Sequence, residues 1–565
     1  MKVADYLVDF LIKKGTTDAF GLPGAVILEL IYAMDRRQGE FCPHLSYHEQ
    51  GAGFAAVGYA QASGKLGVAY ATRGPGFTNL ITAITDAYCD SIPVLFLTSH
   101  AVAPKHKGMR IEANQEVDTC EMVKSVTKYN KRVSCLEEFL PSLHEAYNYA
   151  MTGRRGPVFL DISAKLWKEE IDSIGYDNSK TTSLDIIDTS ILKNVEQLLN
   201  EAKRPVILIG DGINQTYTAT SFKQFADKVN IPVLSSRYGH DIIGNSPLYF
   251  GYIGSFGLRY SNFILSKADL IISLGNRLNF PINSESYRNI PYQAKIVRFE
   301  VDKEEFSRDI PNAINYQLDL ESILPALASF DGNYSDHNAW IKTCHVIREK
   351  LWDSDINNVT KYVDAILASA NTEYSAIIND VGDNEFWISR SCAHSICGVK
   401  TLYSKSFASL GSALPKSIGA YYSLRRPVVC FTGDQGFQMN LQELQAIAHN
   451  RLPVLIVVMN NYASGMIRDK EKKSYGAYLH STLDSGYSMP VLSKIAEAYG
   501  LSYYDSTNLS SIEFKKIAFG ITGPILLNLR IDPDLGLEPY LPIGRATQDM
   551  EPRLEQSLYN YLNNL

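Results

Sequence analysis

The sequence predicts an α/β fold with three domains, each built on a parallel β-sheet flanked by helices. Short apolar runs rich in Val, Ile and Leu alternate with helical patterns along the chain, which is typical of sheets buried on both faces. These runs fall into three groups, and two polar stretches at 172–183 and 331–338 separate the groups. The length of 565 residues suits roughly three or four domains at ~150 residues each.

The predicted elements follow this grouping. The chain begins with MKVADYLVDFLIKKG, in which apolar residues recur at helical spacing. Predicted strands lie at 68–72, 92–99 and 157–162 in the first group, at 205–210, 231–236, 270–275 and 295–302 in the second, and at 427–434, 452–461 and 524–531 in the third. The predicted domains are 1–172, 185–332 and 355–535, followed by a C-terminal tail at 536–565. That tail either folds over an active site or ends in a surface helix, and we favour a lid-like start followed by a helix.

Composition and charge exclude several functional classes. The net charge of −7 leaves no basic footprint for nucleic acid, although small anionic ligands can still bind locally. The longest apolar stretches, such as 453–459, have the length of a strand and are too short to span a membrane. Eight cysteines are scattered without a paired framework, so we expect the reducing cytoplasm. These features argue against nucleic acid and membrane as partners.

The third group carries the most specific chemical signal, a GDQGFQMN motif followed by an NN pair. Predicted strands end at Asp434 and Asn461, and ligands of open α/β sheets bind at the carboxyl ends of strands. A carboxylate, an amide oxygen, a backbone carbonyl and diphosphate oxygens form a shell suited to Mg²⁺. Gly433 and Gly436 permit close approach of a phosphate, and a helix predicted to start near Asn440 offers its N-terminus to it. The alternative is a strand-to-helix turn in which Asp434 only caps the helix.

The first group contains a second motif of this kind. Glu49 precedes a helix of small residues at 51–62, and a Gly-Pro-Gly turn at 74–76 follows the next predicted strand. A lone glutamate before a helix is usually a solvated cap, so this motif alone leaves both interpretations open.

Together these motifs resemble the thiamine diphosphate enzymes of the acetohydroxyacid synthase and pyruvate oxidase group. The resemblance rests on HEQGAGFAAVGYA, GPGFTN and GDQ…NN, and it continues in order through GLPG, NQEVDT, RRGPVFLDI, GDGIN, LGNRLN, FEVD, DVGDNEFW and LGSALPKSIGA. It covers nearly the whole chain. It implies an enzyme of the transferase or lyase type that uses thiamine diphosphate and Mg²⁺, with a pyrimidine-side domain, a central FAD-type domain and a diphosphate-side domain.

The resemblance also assigns the site residues. Glu49 is the catalytic residue, which would bond the aminopyrimidine and promote loss of the thiazolium C2 proton. Asp434, Asn461 and the carbonyl of Ala463 match the metal ligands. Further contacts to the coenzyme are implied for Pro23, Gly24, Thr72, Pro75, Asn79, Gly382, Asp383, Asn384, Ala408, Leu410, Gly433, Gln435, Gly436 and Met466. In the family Glu49 and Asp434 come from different subunits, which implies a homodimer or homotetramer.

Within that set three residues have particular roles in the family. Leu410 supports the bent coenzyme, the carbonyl of Ala408 accepts the 4′-amino group, and Met466 packs on the pyrimidine. Gln435 departs from the family, which has glycine there, so its side chain must point away from the diphosphate or contact it.

The middle domain matches the segments that bind FAD in acetohydroxyacid synthases. The residues implied there are Gly210, Gly212, Gly254, Arg277, Glu300, Asp302 and Asp319. An acidic residue after a strand can hold ribose hydroxyls, which suits Glu300 or Asp302. Several relatives keep this domain as an empty scaffold, so FAD stays an expectation.

The substrate positions are Asn114, Gln115, Lys128 and Lys470. Acetohydroxyacid synthases have an arginine where this chain has Pro281, a tryptophan at Lys470 and a phenylalanine at Asn114. Loss of a bidentate carboxylate clamp disfavours a second pyruvate as acceptor. We therefore expect pyruvate to be decarboxylated and its two-carbon unit to be added to a ketone, such as a nucleotide-linked 4-keto-deoxysugar. An acetolactate synthase, a pyruvate decarboxylase or oxidase, and an inactive relative are the alternatives.

Overall fold

The computed structural model describes residues 1–101, 114–172, 185–213, 218–278, 293–394, 399–508 and 511–565. The described residues contain three six-stranded sheets, and their described strand pairings are parallel. The predicted fold class is therefore confirmed. The chain divides into two compact units: one holds 1–182, 373–384 and 401–533, and the other holds 183–372, 385–400 and 534–565.

The first sheet has the strand order β2-β1-β3-β4-β6-β5. Its strands are β1 (Asp18–Gly21), β2 (Cys42–Leu45), β3 (Gly67–Tyr70), β4 (Val94–His100), β5 (Tyr129–Val133) and β6 (Val158–Ser163). Its helices are α1 (Val3–Lys13), α2 (Leu28–Asp35), α3 (Glu49–Ser63), α4 (Pro75–Asp90), α5 (Thr119–Val123) and α6 (Leu136–Met151).

The central sheet has the order β12-β11-β10-β7-β8-β9. Its strands are β7 (Pro205–Ile209), β8 (Val233–Ser235), β9 (Tyr249–Tyr252), β10 (Leu270–Leu274), β11 (Lys295–Glu300) and β12 (Ala313–Gln317). The accompanying helices are α7 (Thr189–Glu201), α8 (Ala219–Val229), α9 (Arg259–Lys267), α10 (Leu320–Ser329), α11 (Asn338–Leu351) and α12 (Asn358–Glu373).

The third sheet has the order β14-β13-β15-β16-β18-β17. Its strands are β13 (Ala376–Asn379), β14 (Lys400–Leu402), β15 (Val428–Gly433), β16 (Val454–Asn460), β17 (Ser502–Asp505) and β18 (Ile525–Arg530). The helices of this part are α13 (Asp383–His394), α14 (Ala413–Leu424), α15 (Asp434–Met439), α16 (Leu444–His449), α17 (Gly465–Tyr475), α18 (Leu492–Tyr499) and α19 (Ser511–Ala518).

The first and third sheets share one connectivity, because in each the first strand lies between the second and the third. In such sheets the chain connections leave the first strand in opposite directions, which opens a crevice at the carboxyl ends of β1 and β3 in one sheet and of β13 and β15 in the other. The loops after β1 and β3, and those after β13 and β15, border these crevices. The predicted coenzyme residues Gly24, Thr72, Asp383 and Asp434 all lie in or next to these loops.

A shared apolar core joins the first and third sheets within their unit, with α3 and α14 at its centre. The two helices approach closely because each has glycine at the contact. A Cβ atom on Gly58 would lie 2.2 Å from the carbonyl oxygen of Lys416, and one on Gly419 would lie 1.8 Å from that of Ala55. The small residues of the helix predicted at 51–62 therefore allow α3 to pack closely against α14.

One predicted boundary is wrong. The helix after the third-sheet motif begins at Asp434, directly after β15, and ends at Met439. Asn440 therefore terminates the helix that it was expected to start, because the strand turns into a helix without an intervening loop.

The chain ends in α20 (Gln556–Asn564), in agreement with the predicted terminal helix. The segment before it bonds residues of the central-sheet unit: the Leu541 N–H donates to the Ser255 carbonyl at 2.6 Å, and Arg259 donates to the Pro552 carbonyl at 2.6 Å. A lid role for this segment stays a prediction. No described helix is long and apolar enough to cross a bilayer.

Candidate coenzyme-binding and catalytic site

Glu49 is held in one orientation at the start of α3. It is the first residue of the helix and only 9% exposed, and the side chain of the N-cap residue His48 accepts the Gln50 N–H at 3.1 Å. The amide nitrogen of Asn79 donates to Glu49 Oε2 at 2.9 Å. A solvated capping glutamate would be exposed, so burial argues against that alternative, and the catalytic role of Glu49 stays a prediction.

The Gly-Pro-Gly turn makes room for this carboxylate. A Cβ atom on Gly76 would lie 3.1 Å from Glu49 Oε1 and 2.9 Å from Thr72 Cγ2. Gly74 has φ of +62°, and a Cβ atom there would meet the Gln115 carbonyl oxygen at 2.6 Å. The turn therefore brings α4, with Asn79 on its first turns, against Glu49 and Gln115.

The loop after β1 closes on the loop after β3. A Cβ atom on Gly24 would lie 2.4 Å from Thr72 Cβ, so only glycine permits this approach. Pro23 and Pro75 are exposed at the two loops. Among the residues predicted from the first sheet, the structure thus brings Gly24 against Thr72 and Asn79 against Glu49, and Gly76 lies between Thr72 and Glu49.

Asp434 has the environment of a cation ligand. The residue is 2% exposed, its Oδ1 atom accepts the Gln435 N–H at 2.8 Å, and its Oδ2 atom is buried without a partner among the described residues. Burial raises the pKa of the Asp434 carboxyl to about 6. A buried carboxylate oxygen without a partner is costly unless a cation or another donor binds it. This orphaned atom fits a divalent metal.

The other two predicted metal ligands form a tight turn beside Asp434. Asn461 Oδ1 accepts the Ala463 N–H at 3.2 Å, and Tyr462 between them has φ of +53°. The Tyr487 hydroxyl and the N–H groups of Tyr462 and Ala463 lie close enough to the Asp434 carboxyl to lower its pKa against the effect of burial. No group of three His, Cys, Asp or Glu side chains suited to a metal occurs in the described part of the chain, so one carboxylate would act with neutral oxygens.

Asp383 is a second buried carboxyl group at this turn. Both of its oxygens lack a partner among the described residues, and burial together with Asp469 raises its pKa to about 7. A Cβ atom on Gly465 would lie 2.3 Å from Asp383 Oδ2 and 2.9 Å from Asn461 Nδ2. Two carboxyl groups with unsatisfied oxygens therefore flank the turn at Asn461.

The segment after β13 is fixed by its own side chains. Gly382 has φ of +125°, a conformation that requires glycine. Asn384 Nδ2 donates to Asn379 Oδ1 at 3.1 Å and to the Asp380 carbonyl at 2.7 Å. These bonds turn the first residues of α13 towards the carboxyl edge of the third sheet.

Asp380 is a site residue that sequence reasoning missed. Its carboxylate accepts the Gly411 N–H at 2.9 Å and the Thr432 hydroxyl at 2.8 Å, and burial raises its pKa to about 6. It anchors the turn that contains Ala408, which has φ of +55°, and the half-buried Leu410. The only sequence signal is its place directly after a buried strand.

Asp380 also explains a motif glycine. A Cβ atom on Gly436 would lie 2.4 Å from Asp380 Oδ2, so Gly436 makes room for this carboxylate rather than for a phosphate. Among the described residues, a Cβ atom on Gly433 would contact only Asn384 Oδ1, at 3.5 Å, and Gln435 is half-buried beside it.

The predicted substrate residues are mostly exposed. Asn114, Gln115 and Lys470 are exposed, and Met466 is 40% exposed on the first turn of α17. Lys128 instead donates to the carbonyls of Tyr149 and Thr152 at the end of α6, which is a structural use of its ammonium group. Pro281 lies outside the described residues.

The predicted flavin residues have structural contacts in the central unit. Cβ atoms on Gly210 and Gly212 would lie 2.4 Å from the carbonyl oxygen and 2.8 Å from the Cα atom of Gly275, so these glycines serve the packing of adjacent loops. The amide nitrogen and carbonyl of Gly254 both bond the Asn262 side chain. Arg277 is half-buried, and its carbonyl accepts from Arg308.

The acidic residues of this group act as caps. Glu300 Oε1 accepts the N–H groups of Val301 and Asp302 at 3.0 and 3.3 Å. Asp302 caps the short helix that follows it, and Asp319 caps α10. These bonds engage one oxygen of each carboxylate, and the ribose role of Glu300 or Asp302 stays a prediction.

Comparison with known proteins gives matches along the chain. The family models of the thiamine pyrophosphate enzyme N-terminal TPP binding domain, central domain and C-terminal TPP binding domain match residues 1–122, 192–327 and 380–529. The acetolactate synthase large subunit of Lactococcus lactis is 30% identical over 551 residues, which cover 95% of this chain and 93% of the relative. The isozyme 2 large subunit of Escherichia coli is 29% identical over 98% of this chain and 100% of the relative. The probable acetolactate synthase large subunit of Methanococcus aeolicus is 30% identical over a region that covers 97% of this chain and 95% of the relative.

Proposed function

The chain belongs to the thiamine pyrophosphate enzymes, as an acetolactate synthase-like member, and from this we propose that it decarboxylates pyruvate and transfers the two-carbon unit to a ketone acceptor. The observation that supports this most directly is the buried Glu49 carboxylate, which Asn79 orients at 2.9 Å. The unpartnered Oδ2 atom of Asp434 supports a metal-bound diphosphate at the third sheet.

Each site residue has a distinct role in the proposed reaction. Bound thiamine diphosphate supplies the nucleophile for the 2-oxoacid carbonyl and the electron sink as CO₂ leaves. Glu49 holds a proton at the aminopyrimidine nitrogen and so promotes loss of the C2 proton. Asp434, Asn461 and the Ala463 carbonyl would hold Mg²⁺, and Leu410 would support the coenzyme from below. Asp383 and Asn384 would lie at the diphosphate.

We place Glu49 of one subunit and Asp434 of another at each active site, so that a homodimer is the smallest active form. The support is the family resemblance of both motifs. Sedimentation of the protein with thiamine diphosphate and Mg²⁺, followed by mixing of Glu49→Gln and Asp434→Asn proteins, tests this arrangement. Partial recovery of turnover in the mixture is expected, and no recovery from freely exchanging subunits would refute it.

For the acceptor we propose a ketone other than a second pyruvate, of the type of a nucleotide-linked 4-keto-deoxysugar. The support is Pro281 and Lys470, which stand where acetohydroxyacid synthases have arginine and tryptophan, together with the exposed, polar Asn114 and Lys470. An exposed polar surface suits a hydroxylated acceptor better than a small 2-oxoacid that needs a guanidinium clamp.

Acetolactate synthesis is the second candidate, and the full-length similarity to acetolactate synthase large subunits favours it. One assay separates the two. Enzyme, pyruvate, thiamine diphosphate and Mg²⁺ are incubated alone and with a panel of carbonyl acceptors, and the products are identified by mass spectrometry. Poor acetolactate formation with efficient capture by a sugar ketone supports the first proposal, whereas rapid acetolactate formation alone establishes the second.

We also propose FAD as a structural cofactor of the central domain, on the similarity of that domain to flavin-binding segments. The absorbance spectrum of the purified protein, and of protein reconstituted with FAD, tests whether the flavin binds. A bound flavin that stays oxidised during turnover with pyruvate is expected. Bleaching of the flavin band would instead indicate an oxidase.

A further inference from the structure

Glu443 is a buried carboxylate that reaches from the third sheet to the start of α3. It closes a short 3₁₀ turn at Leu441–Glu443, directly after α15, and it is completely buried. Its Oε1 atom accepts the N–H groups of Tyr47 and His48, each at 3.1 Å. Tyr47 and His48 are the two residues that directly precede Glu49.

The first sheet has a glycine that admits this side chain. A Cβ atom on Gly51 would lie 2.4 Å from Glu443 Oε1 and 2.6 Å from its Cδ atom. Glu443 therefore contacts the chain on both sides of Glu49. Asn440 adds a second link, since its amide nitrogen donates to the Gly411 carbonyl at 2.9 Å and lies 3.5 Å from Gln50 Oε1.

We propose that Glu443 is a positioning residue that sets the direction of the Glu49 carboxyl group by accepting the N–H groups of Tyr47 and His48. The inference rests on the proposed function, because it presupposes that Glu49 activates the coenzyme. Asn79 bonds only one oxygen of Glu49, so the path of the backbone into α3 determines where the other oxygen points. A buried acceptor that fixes two successive peptide groups fixes that path.

The proposed role needs only an acceptor oxygen at Oε1 of Glu443. The substitutions Glu443→Gln and Glu443→Ala should therefore have different effects. Glu443→Gln keeps a carbonyl oxygen of the same reach and can still accept both N–H groups. Glu443→Ala leaves both N–H groups buried without an acceptor, so that the start of α3 must shift to find new partners. A displacement of about 1 Å at a reacting group can lower a rate by about 100-fold.

The test measures hydrogen–deuterium exchange at C2 of thiamine diphosphate bound to the full-length protein with Mg²⁺, by quenched-flow proton NMR. We expect Glu443→Ala to slow the exchange by about 10- to 100-fold. The dissociation constant for the coenzyme should change little, because the metal ligands lie elsewhere on the third sheet. Glu443→Gln should restore most of the wild-type exchange rate.

Asp269 provides a matched control. This carboxylate also accepts two successive backbone N–H groups, those of Lys203 and Arg204, each at 2.9 Å, but it lies in the central-sheet unit. Asp269→Ala removes the same kind of contact and should leave the C2 exchange unchanged. If Glu443→Ala fails to fold, Gly51→Ala is the second variant, since its methyl group would push the Glu443 carboxylate away from Tyr47 and His48.

An unchanged exchange rate in coenzyme-loaded Glu443→Ala would overturn the inference, and so would an equal loss in Glu443→Gln. Failure of the proposed function has a different signature. In that case wild-type protein either does not bind thiamine diphosphate or exchanges C2 as fast as the Glu49→Gln variant does.

Discussion

The amide nitrogen of Asn79 donates a hydrogen bond of 2.9 Å to the Oε2 atom of Glu49. The two residues belong to different helices, α4 and α3, and Gly76 on α4 leaves the space in which the carboxylate lies. One oxygen of Glu49 is thus fixed, and the described residues give the other no hydrogen bond. Such a carboxylate is oriented and still able to bond a ligand.

Replacement of Asn79 by Ala should slow C2 exchange of the bound coenzyme by about 10-fold, the value expected when a hydrogen bond to a charged group is lost. Quenched-flow NMR of the loaded protein measures this rate. Thr78→Ala is the control, because the Thr78 hydroxyl bonds the Pro75 carbonyl on the exposed side of the same helix. Equal rates in both variants would show that Asn79 does not orient Glu49.

Replacement of Glu49 by Gln should lower C2 exchange and pyruvate decarboxylation by about 100- to 10,000-fold, because an amide cannot share the proton of the aminopyrimidine. Isothermal titration should show that the variant still binds thiamine diphosphate and Mg²⁺. Turnover at the wild-type rate would contradict the role given to Glu49.

Replacement of Asp434 by Asn should weaken Mg²⁺-dependent coenzyme binding by at least about 10- to 100-fold, the loss seen even for residues that only support a metal ligand. Titration of the protein with thiamine diphosphate at several Mg²⁺ concentrations measures this. Asp484→Asn, which alters an exposed carboxylate, should bind as the wild type does. Unchanged binding in Asp434→Asn would place the metal elsewhere.

The double substitution Pro281→Arg with Lys470→Trp should raise the share of acetolactate among the products from pyruvate. The arginine would restore a bidentate donor for the carboxylate of a second 2-oxoacid. Product analysis by mass spectrometry checks this, with Lys473→Trp on the same exposed helix as the control. A protein that already makes acetolactate efficiently before substitution would count against the proposed acceptor.

Replacement of Asp380 by Asn should flatten the pH dependence of stability between about pH 4 and pH 7. Burial raises the pKa of Asp380 in the folded protein from 3.8 to about 6. Because the folded pKa exceeds the unfolded one, this group contributes stability that is fully present below about pH 4 and is lost as the pH rises through about 6.

Melting temperatures of the coenzyme-free protein at a series of pH values measure that effect. The wild type should lose more stability than Asp380→Asn as the pH rises across this window. The exposed Asp484→Asn should follow the wild-type curve. Identical slopes in wild type and Asp380→Asn would mean that Asp380 is not protonated on folding.

Much of this architecture was predictable because strands and helices depend on the spacing of apolar residues within short segments of the chain. Buried parallel strands are continuous apolar runs, so the predicted strand at 452–461 and its neighbours differ from the observed ones by only one or two residues at each end. Motif positions such as Asp434 and Asn461 follow strands, and parallel strands place their carboxyl ends at one edge. The start of the helix after β15 was missed, since a strand that turns directly into a helix has no loop residues to mark it.

The functions of polar residues away from the motifs were not predictable in the same way. Asp302 and Asp319 each cap a helix through one carboxylate oxygen, and their place at a nucleotide stays a prediction, since no local pattern distinguishes a capping carboxylate from one that also binds a ligand. Asp380 was missed because its partners are distant in the chain: Gly411 lies in the turn before α14, and Thr432 lies on β15.

By itself the sequence determined three parallel sheets, a carboxylate at the start of α3 and an Asp–Asn pair at the ends of two strands, because each depends on neighbours in the chain. Only the tertiary structure decided that Glu443 bonds His48 across 395 residues, and that Asp383 and Asp434 are left with unsatisfied oxygens. Such contacts arise when separate helices and sheets pack, and packing brings together groups whose proximity no local pattern records.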